Sequence, residues 1–184
     1  MLSLIACCDK SMAIGYENNL LYHIPEDMKR FKELTTGKLC IQGRLTYESI
    51  VNITGKPLQN RRNIILTKNK DFKPDHSSFV YHSVNDVLKL IRGQLDRNEE
   101  VMVIGGGDIY EAFLPHADKV YLTIVDSAAA KADSYFPRLN DDWRVIEKDH
   151  RKAGNNTAYN YSFLTYSKQI KSKNKIVIDF REVE

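Results

Sequence analysis

The run Val101-Met102-Val103-Ile104-Gly105-Gly106-Gly107 constrains the fold more than any other stretch of the chain. Four consecutive apolar residues suit a strand buried on both faces, as in a parallel sheet. Three glycines then turn the chain into a helix carrying Ile109, Tyr110 and Phe113, which Pro115 stops. Strand, glycine turn and helix make half of a βαβ unit, and the same order recurs. Residues 2–8 are an apolar run without turn residues, and residues 38–42 lead through Gly43 and Arg44 into a short helix over about 46–51. Residues 52–58 read as a loop, 64–67 and 79–82 as strands, and Val84, Val87, Leu88 and Ile91 mark a further helix. From Lys119 onward, residues 120–125, 143–148 and 158–166 read as strands without helices between them. The expected fold is an α/β domain with a mixed, mainly parallel central sheet, its parallel part first, flanking helices and a C-terminal antiparallel hairpin.

A chain of 184 residues with 42% hydrophobic content has the size and core of one domain. The net charge of +3 is spread through the chain and implies neither a nucleic-acid groove nor a membrane surface. The apolar start meets Asp9 too soon for a signal peptide or membrane span, so a cytoplasmic protein is expected. Cys7 and Cys8 point to opposite faces of a strand and, with Cys40, lack metal-ligand spacing, so buried free thiols are expected. His23, His76, His82, His116 and His150 show no ligand spacing either, and Trp143 reads as a packing residue.

Chemistry concentrates between residues 14 and 44. Pro25 suits the first turn of a helix whose Met28, Phe31 and Leu34 mark a buried face, and Asp27 projects at the edge of that stripe. Taken alone, Asp27 also fits the plain role of a helix-dipole partner. Upstream, residues 14–23 read as an irregular loop that covers something. In an open α/β sheet ligands sit beyond the carboxyl ends of the strands, which brings residues 5–8 to the same place. Gly105, Gly106 and Gly107 suit either a tight structural turn or close approach of backbone to a phosphate, and Gly43-Arg44 offers a second such junction.

The ordered series Ile14-Gly15, Leu20-Leu21-Tyr22-His23-Ile24-Pro25-Glu26-Asp27-Met28-Lys29-Arg30-Phe31, Gly43-Arg44-Leu45-Thr46-Tyr47-Glu48-Ser49-Ile50, Arg61-Arg62-Asn63-Ile64-Ile65-Leu66-Thr67, Val103-Ile104-Gly105-Gly106-Gly107 and Phe136-Pro137 resembles dihydrofolate reductase of the bacterial type. The resemblance covers residues 1–167 and leaves 168–184 as a basic C-terminal extension, read as a linker followed by an added edge strand, a partner-binding segment or a foreign tail. It implies a monomeric enzyme that reduces 7,8-dihydrofolate with NADPH, supports one-carbon metabolism and thymidylate synthesis, and binds antifolate inhibitors. Asp27 would hold the amidine-like edge of the pterin, with Thr123 bonded to the same carboxylate and Tyr22 contacting a water nearby, and that water is the expected proton carrier. Ile5, Met28, Phe31, Ile50 and Leu58 would form apolar walls, and Arg61 would pair with the α-carboxylate of the glutamyl tail. Taken alone, these are core residues and a surface charge. Around the cofactor would lie Cys7, Ala13, Ile14, Gly15, Leu20, Gly43, Arg44, Leu45, Thr46, Thr67, Lys68, His82, Ile104, Gly105, Gly106, Gly107, Asp108, Ile109 and Tyr110.

Several positions depart from the family pattern. About four extra residues fall near 51–54, and Asp108 stands where many relatives carry a cation. Leu21 and Tyr22 replace proline and tryptophan, and Ala132 replaces a glycine before Asp133. These changes imply a looser covering loop and a pocket less complementary to diaminopyrimidines such as trimethoprim. Two other readings are a same-fold reductase of another pterin-like or riboflavin-precursor substrate, which would lack the Asp27 and Arg61 pair, and a binding module that uses the basic tail.

Overall fold

A computed structural model describes residues 1–154 and 157–169. The elements in chain order are β1 (Leu2–Asp9), β2 (Ala13–Tyr16), β3 (Asn19–Leu20), α1 (Pro25–Thr35), β4 (Leu39–Gly43), α2 (Arg44–Thr54), β5 (Arg62–Leu66), β6 (Ser78–Tyr81), α3 (Val84–Asp96), β7 (Val101–Gly105), α4 (Gly107–Phe113), β8 (Lys119–Val125), β9 (Ser134–Tyr135), β10 (Trp143–Arg151) and β11 (Tyr161–Lys168). An eight-stranded sheet runs β10-β11-β8-β1-β7-β4-β5-β6. From β8 to β6 every pairing is parallel, and β11 is antiparallel to both β8 and β10. The mixed α/β fold is therefore the one expected, with one change of membership. β8 joins the parallel block beside β1, because the return through α4 brings it back to the sheet centre instead of into the hairpin.

Side-chain alternation along β1 assigns the two layers. Leu2, Leu4, Ala6 and Cys8 join the core that also buries Val87 and Ile91 of α3 and Phe113 of α4. Ile5 points the other way, with Cys40, Met102, Ile104 and Tyr121, against Phe31 and Leu34 of α1 and Ile50 of α2. Cys7 packs beside the cluster of Tyr22, Ile24, Val125 and Tyr161.

Four local expectations change. The segment 14–23 contains a hairpin: β2 pairs with β3 across Glu17 and Asn18, both left-handed at φ 48° and 60°, the geometry of a twisted two-residue turn. The two-residue strand β9, too short for a periodic signal, adds a third strand to it. The helix expected over 46–51 spans Arg44–Thr54, so the extra residues lengthen the helix and Gly55 ends it in a left-handed cap at φ 74°. Of the C-terminal strands, the one expected over 143–148 runs on to Arg151, with a bulge between Val145 and Glu147, and the one expected over 158–166 is shifted to Tyr161–Lys168. Residues 170–184, which hold nearly all of the C-terminal extension and the readings of it, lie outside the described residues.

Candidate active site

On α1 the face turned inward is Asp27, Phe31, Leu34 and Thr35, spaced i, i+4, i+7 and i+8. This corrects the expected stripe by one residue. Met28 is only half-buried and joins no apolar cluster among the described residues, whereas Asp27 is 8% exposed and lies on the inward face instead of at its edge. Thr123 Oγ1 donates to Asp27 Oδ1 at 2.5 Å. Cys7 lies opposite Thr123 in the β1–β8 ladder, on the same face of the sheet. Burial raises the Asp27 pKa, and the Thr123 hydrogen bond and the charge of Arg30 oppose that rise. Burial also raises Cys7 well above its ordinary value and Cys8 to about 12, so both thiols are neutral. Ile5, Phe31, Ile50 and Leu58 gather in one cluster that floors the site.

Arg61 lies at the far end of α1. Its Nε and Nη2 donate to Thr35 Oγ1 at 3.2 and 2.9 Å, Nη2 to the Lys32 carbonyl at 3.2 Å, and Nη1 to the Gln59 carbonyl at 2.7 Å. Thr35, which no sequence signal singles out, thus orients the guanidinium.

The covering segment is clasped at two places. Glu17 N donates to Asp133 Oδ2 at 2.8 Å, and Asp133 N to the Gly15 carbonyl at 3.1 Å. Ala132 is absent from the left-handed residues, so this clasp forms without glycine. Deeper in, the carboxylate of Asp9 accepts from Ser11 N and Oγ, Ala13 N, Ala129 N and, at 3.3 Å, the Tyr22 hydroxyl. Burial alone would raise the Asp9 pKa, but these bonds outweigh it and hold it below the ordinary value. Tyr22 is buried edge-on against Tyr159. Its hydroxyl donates to Asp9. Asp9 was legible only as an acid ending an otherwise apolar strand. Ala13 is buried and Ile14 half-buried, whereas Leu20 is 58% exposed.

Two helix starts meet beside this site. Gly43 caps α2 and Gly106 caps α4, each extended and without a side-chain cap, so their first N–H groups are free of side-chain partners. They are closely packed: a Cβ on Gly43 would lie 3.0 Å from Ile109, and one on Gly106 would lie 3.4 Å from Thr46 Oγ1. Gly105 is left-handed at φ 113° against the Tyr110 hydroxyl, which requires glycine there. Uncapped N–H groups from two helices suit the diphosphate of a dinucleotide. Arg44 Nη1 reaches both Glu48 carboxylate oxygens at 2.8 Å, a helical i,i+4 pair. Leu45, Lys68 and Asp108 are exposed, and His82 Nδ1 contacts the Thr67 carbonyl at 2.8 Å. Ile104 is buried in the floor cluster. Tyr110 is buried and donates to the Ile5 carbonyl at 2.6 Å, tying α4 to β1.

Two cavities of about 230 and 280 Å³ lie elsewhere, one around Pro25, Arg151 and Tyr161 and one around Met12, Leu139 and Trp143. Neither is lined by Asp27 or Thr123. Among the described residues no acid, histidine and cysteine group could hold a metal, and no helix is long and apolar enough to cross a membrane.

Comparison with known proteins agrees with this geometry. A family model described as dihydrofolate reductase matches residues 1–168. Dihydrofolate reductase of Bacillus subtilis is 35% identical, covering 94% of this chain and 98% of its own. Dihydrofolate reductase type 3 of Salmonella typhimurium is 36% identical, covering 92% and 99%. A solved dihydrofolate reductase from Enterococcus faecalis, complexed with NADP(H) and an RAB-propyl compound, superposes with a TM-score of 0.80 at 30% identity, covering 92% of this chain and 97% of that one. With a buried acid held by a threonine, two uncapped helix starts and full-length relatives on both counts, the chain belongs to the dihydrofolate reductase family.

Proposed function

We propose that the protein reduces 7,8-dihydrofolate to 5,6,7,8-tetrahydrofolate with NADPH. The observation that carries this reading is the Asp27 carboxylate, buried and bonded to Thr123 beside an apolar cluster. A pterin's amidine-like edge presents two donors to one carboxylate, and an acid held this way both orients the ring and favours a proton on it. One C=N bond is reduced: its carbon receives a hydride and its nitrogen a proton. When bound, NADPH supplies the hydride.

The residues present fit that cofactor. The α2 and α4 starts would hold the diphosphate, Arg44, Thr46 and Lys68 the adenosine phosphates, and Ala13, Ile14 and Cys7 would line the nicotinamide. Arg61, prearranged by Thr35, would take the glutamyl α-carboxylate. Asp27 and Arg61 together favour folate over other pterin-like substrates. Residues 1–167 form the catalytic unit, acting as a monomer in the cytoplasm and serving one-carbon metabolism and thymidylate synthesis.

The test is direct: absorbance at the nicotinamide band falls on mixing enzyme, NADPH and dihydrofolate. No fall, with a folded protein that binds NADPH, sinks the reading. We also propose reduced trimethoprim sensitivity, because Leu21, Tyr22 and Ala132 change the covering segment and the Tyr22 hydroxyl donates to Asp9. The triple variant Leu21→Pro, Tyr22→Trp, Ala132→Gly would tighten both NADPH and trimethoprim, and unchanged affinities would show these departures to be neutral.

A further inference from the structure

One turn after Asp27, α1 carries Arg30. Its guanidinium carbon lies 4.7 Å from the Phe163 ring centroid and 5.6 Å from that of Tyr121. Nη2 is 3.5 Å from Thr165 Oγ1, and Nη1 is buried without a hydrogen-bond partner among the described residues. These contacts share a floor with Asp27. Tyr121 and Thr123 alternate onto one face of β8, and across the β8–β11 ladder Phe163 lies opposite Thr123 and Thr165 opposite Tyr121. One four-residue patch therefore holds Asp27 at one end, through Thr123, and Arg30 at the other.

We propose that Arg30 is a positioning residue for the reaction: a cation held by this patch one helical turn from Asp27, whose charge favours the Asp27 carboxylate in its apolar surroundings until the pterin arrives. The assignment rests on the reading of Asp27 as the pterin-binding acid. Its physical basis is that stripping water from a charge pair strengthens their attraction, and that both arginine and lysine stay protonated in the acid range where a carboxylate titrates.

The groups facing the pair are consistent with this. Burial lowers the Arg30 pKa, and Asp27 on its own helix, Glu147 and Asp149 on β10 and Tyr121 on β8 oppose the fall. Around Asp27 stand Thr123, Cys7 and Cys8 of β1, Tyr110 of α4 and Tyr161 of β11. The thiols and phenols among these are all raised, Cys8 and Tyr161 to about 12, so they carry no charge at working pH. Arg30 is the cation acting on Asp27 among the groups named.

The test titrates Asp27 directly, by carboxyl-carbon NMR of ligand-free protein labelled at aspartate, with the Asp27 signal assigned by its absence in Asp27→Asn. Arg30→Met keeps a side chain suited to packing on the two rings. Arg30→Gln is a second neutral variant that keeps a donor toward Thr165, and Arg30→Lys keeps the charge. The Asp27 midpoint moves upward in the Met and Gln variants and returns toward wild type in the Lys variant, and the pH profile of dihydrofolate reduction moves in the same direction. An Asp27 midpoint unchanged in both neutral variants overturns the proposal, whatever happens to turnover. Absence of dihydrofolate reduction in the wild type would overturn the functional reading instead, and the carboxyl titration distinguishes the two failures.

Discussion

Arg61 permits a prediction whose size follows from its hydrogen bonds. A guanidinium has five N–H groups, and those of Arg61 make four bonds within the protein, to Thr35 Oγ1 twice and to the Lys32 and Gln59 carbonyls. An α-carboxylate approaching the Nη1–Nη2 edge takes the remaining Nη1 hydrogen and competes for the one shared with Lys32 at 3.2 Å. The net gain is at least one charge-assisted hydrogen bond, about 1.5–3 kcal/mol. That converts to roughly a 10- to 150-fold change in dissociation constant. Arg61→Lys retains a charge but loses both the fork and the Thr35 anchor. It raises the KM for dihydrofolate within that range and leaves kcat near wild type, because the lost contact is equally strong in the ground and transition states. A dihydropterin lacking the glutamyl tail is the control, and its KM does not change. Thr35→Val leaves Arg61 in place but unanchored and gives a smaller loss of the same kind. Equal losses on both substrates, or none on dihydrofolate, would refute the reasoning.

Asp27→Asn lowers turnover at neutral pH by about two to four orders of magnitude with NADPH binding retained, and activity partly returns in acid, where substrate arrives protonated. Because burial raises the Asp27 pKa in the folded protein, the folded state binds this proton more tightly than the unfolded one, and stability falls as pH rises through the folded pKa. The same variant is therefore more stable than wild type at neutral pH, an advantage that disappears below the unfolded pKa and is measured as urea midpoints across pH. Replacing both Arg44 and Lys68 with glutamine removes most of a preference for NADPH over NADH, read as the ratio of kcat/KM values, and Lys68→Gln alone removes the larger share because Arg44 is already paired with Glu48. Gly107→Ala places a Cβ 2.8 Å from the Tyr135 carbonyl, so it destabilises by about 1–3 kcal/mol and lowers the melting temperature by roughly 2–10 °C.

Much of this was legible because strand periodicity and glycine placement are local. The burial of Val101–Gly105 on both faces, the glycine turn into α4 and the inward Phe31 and Leu34 all follow from spacing along a few consecutive residues, whereas the same spacing put Asp27 at the edge of that face. The partners were harder to read. Nothing in the sequence pairs Thr35 with Arg61 or Asp9 with Ala129, contacts 26 and 120 residues apart. Glu48 and Arg30, by contrast, stand four and three residues from Arg44 and Asp27, at helical spacings that a search for i+3 and i+4 partners finds. The reassignment of β8 was illegible for another reason: consecutive strands are compatible with either pairing, and only the return path of the preceding helix decides between them.

The bulge in β10 bears on how this protein behaves at high concentration. Among the described residues β10 is the outermost strand beyond β11, and its two exposed apolar residues, Val145 and Ile146, sit where the register breaks. Flanking them are Arg144, Glu147, Lys148, Asp149 and Arg151. A second copy adding itself to that edge would need a straight, evenly spaced row of donors and acceptors. It would meet a kink at the stickiest point and alternating charge on either side. Straightening β10 by deleting Ile146 would remove the kink while keeping the charges, leaving the molecule prone to edge-to-edge aggregation.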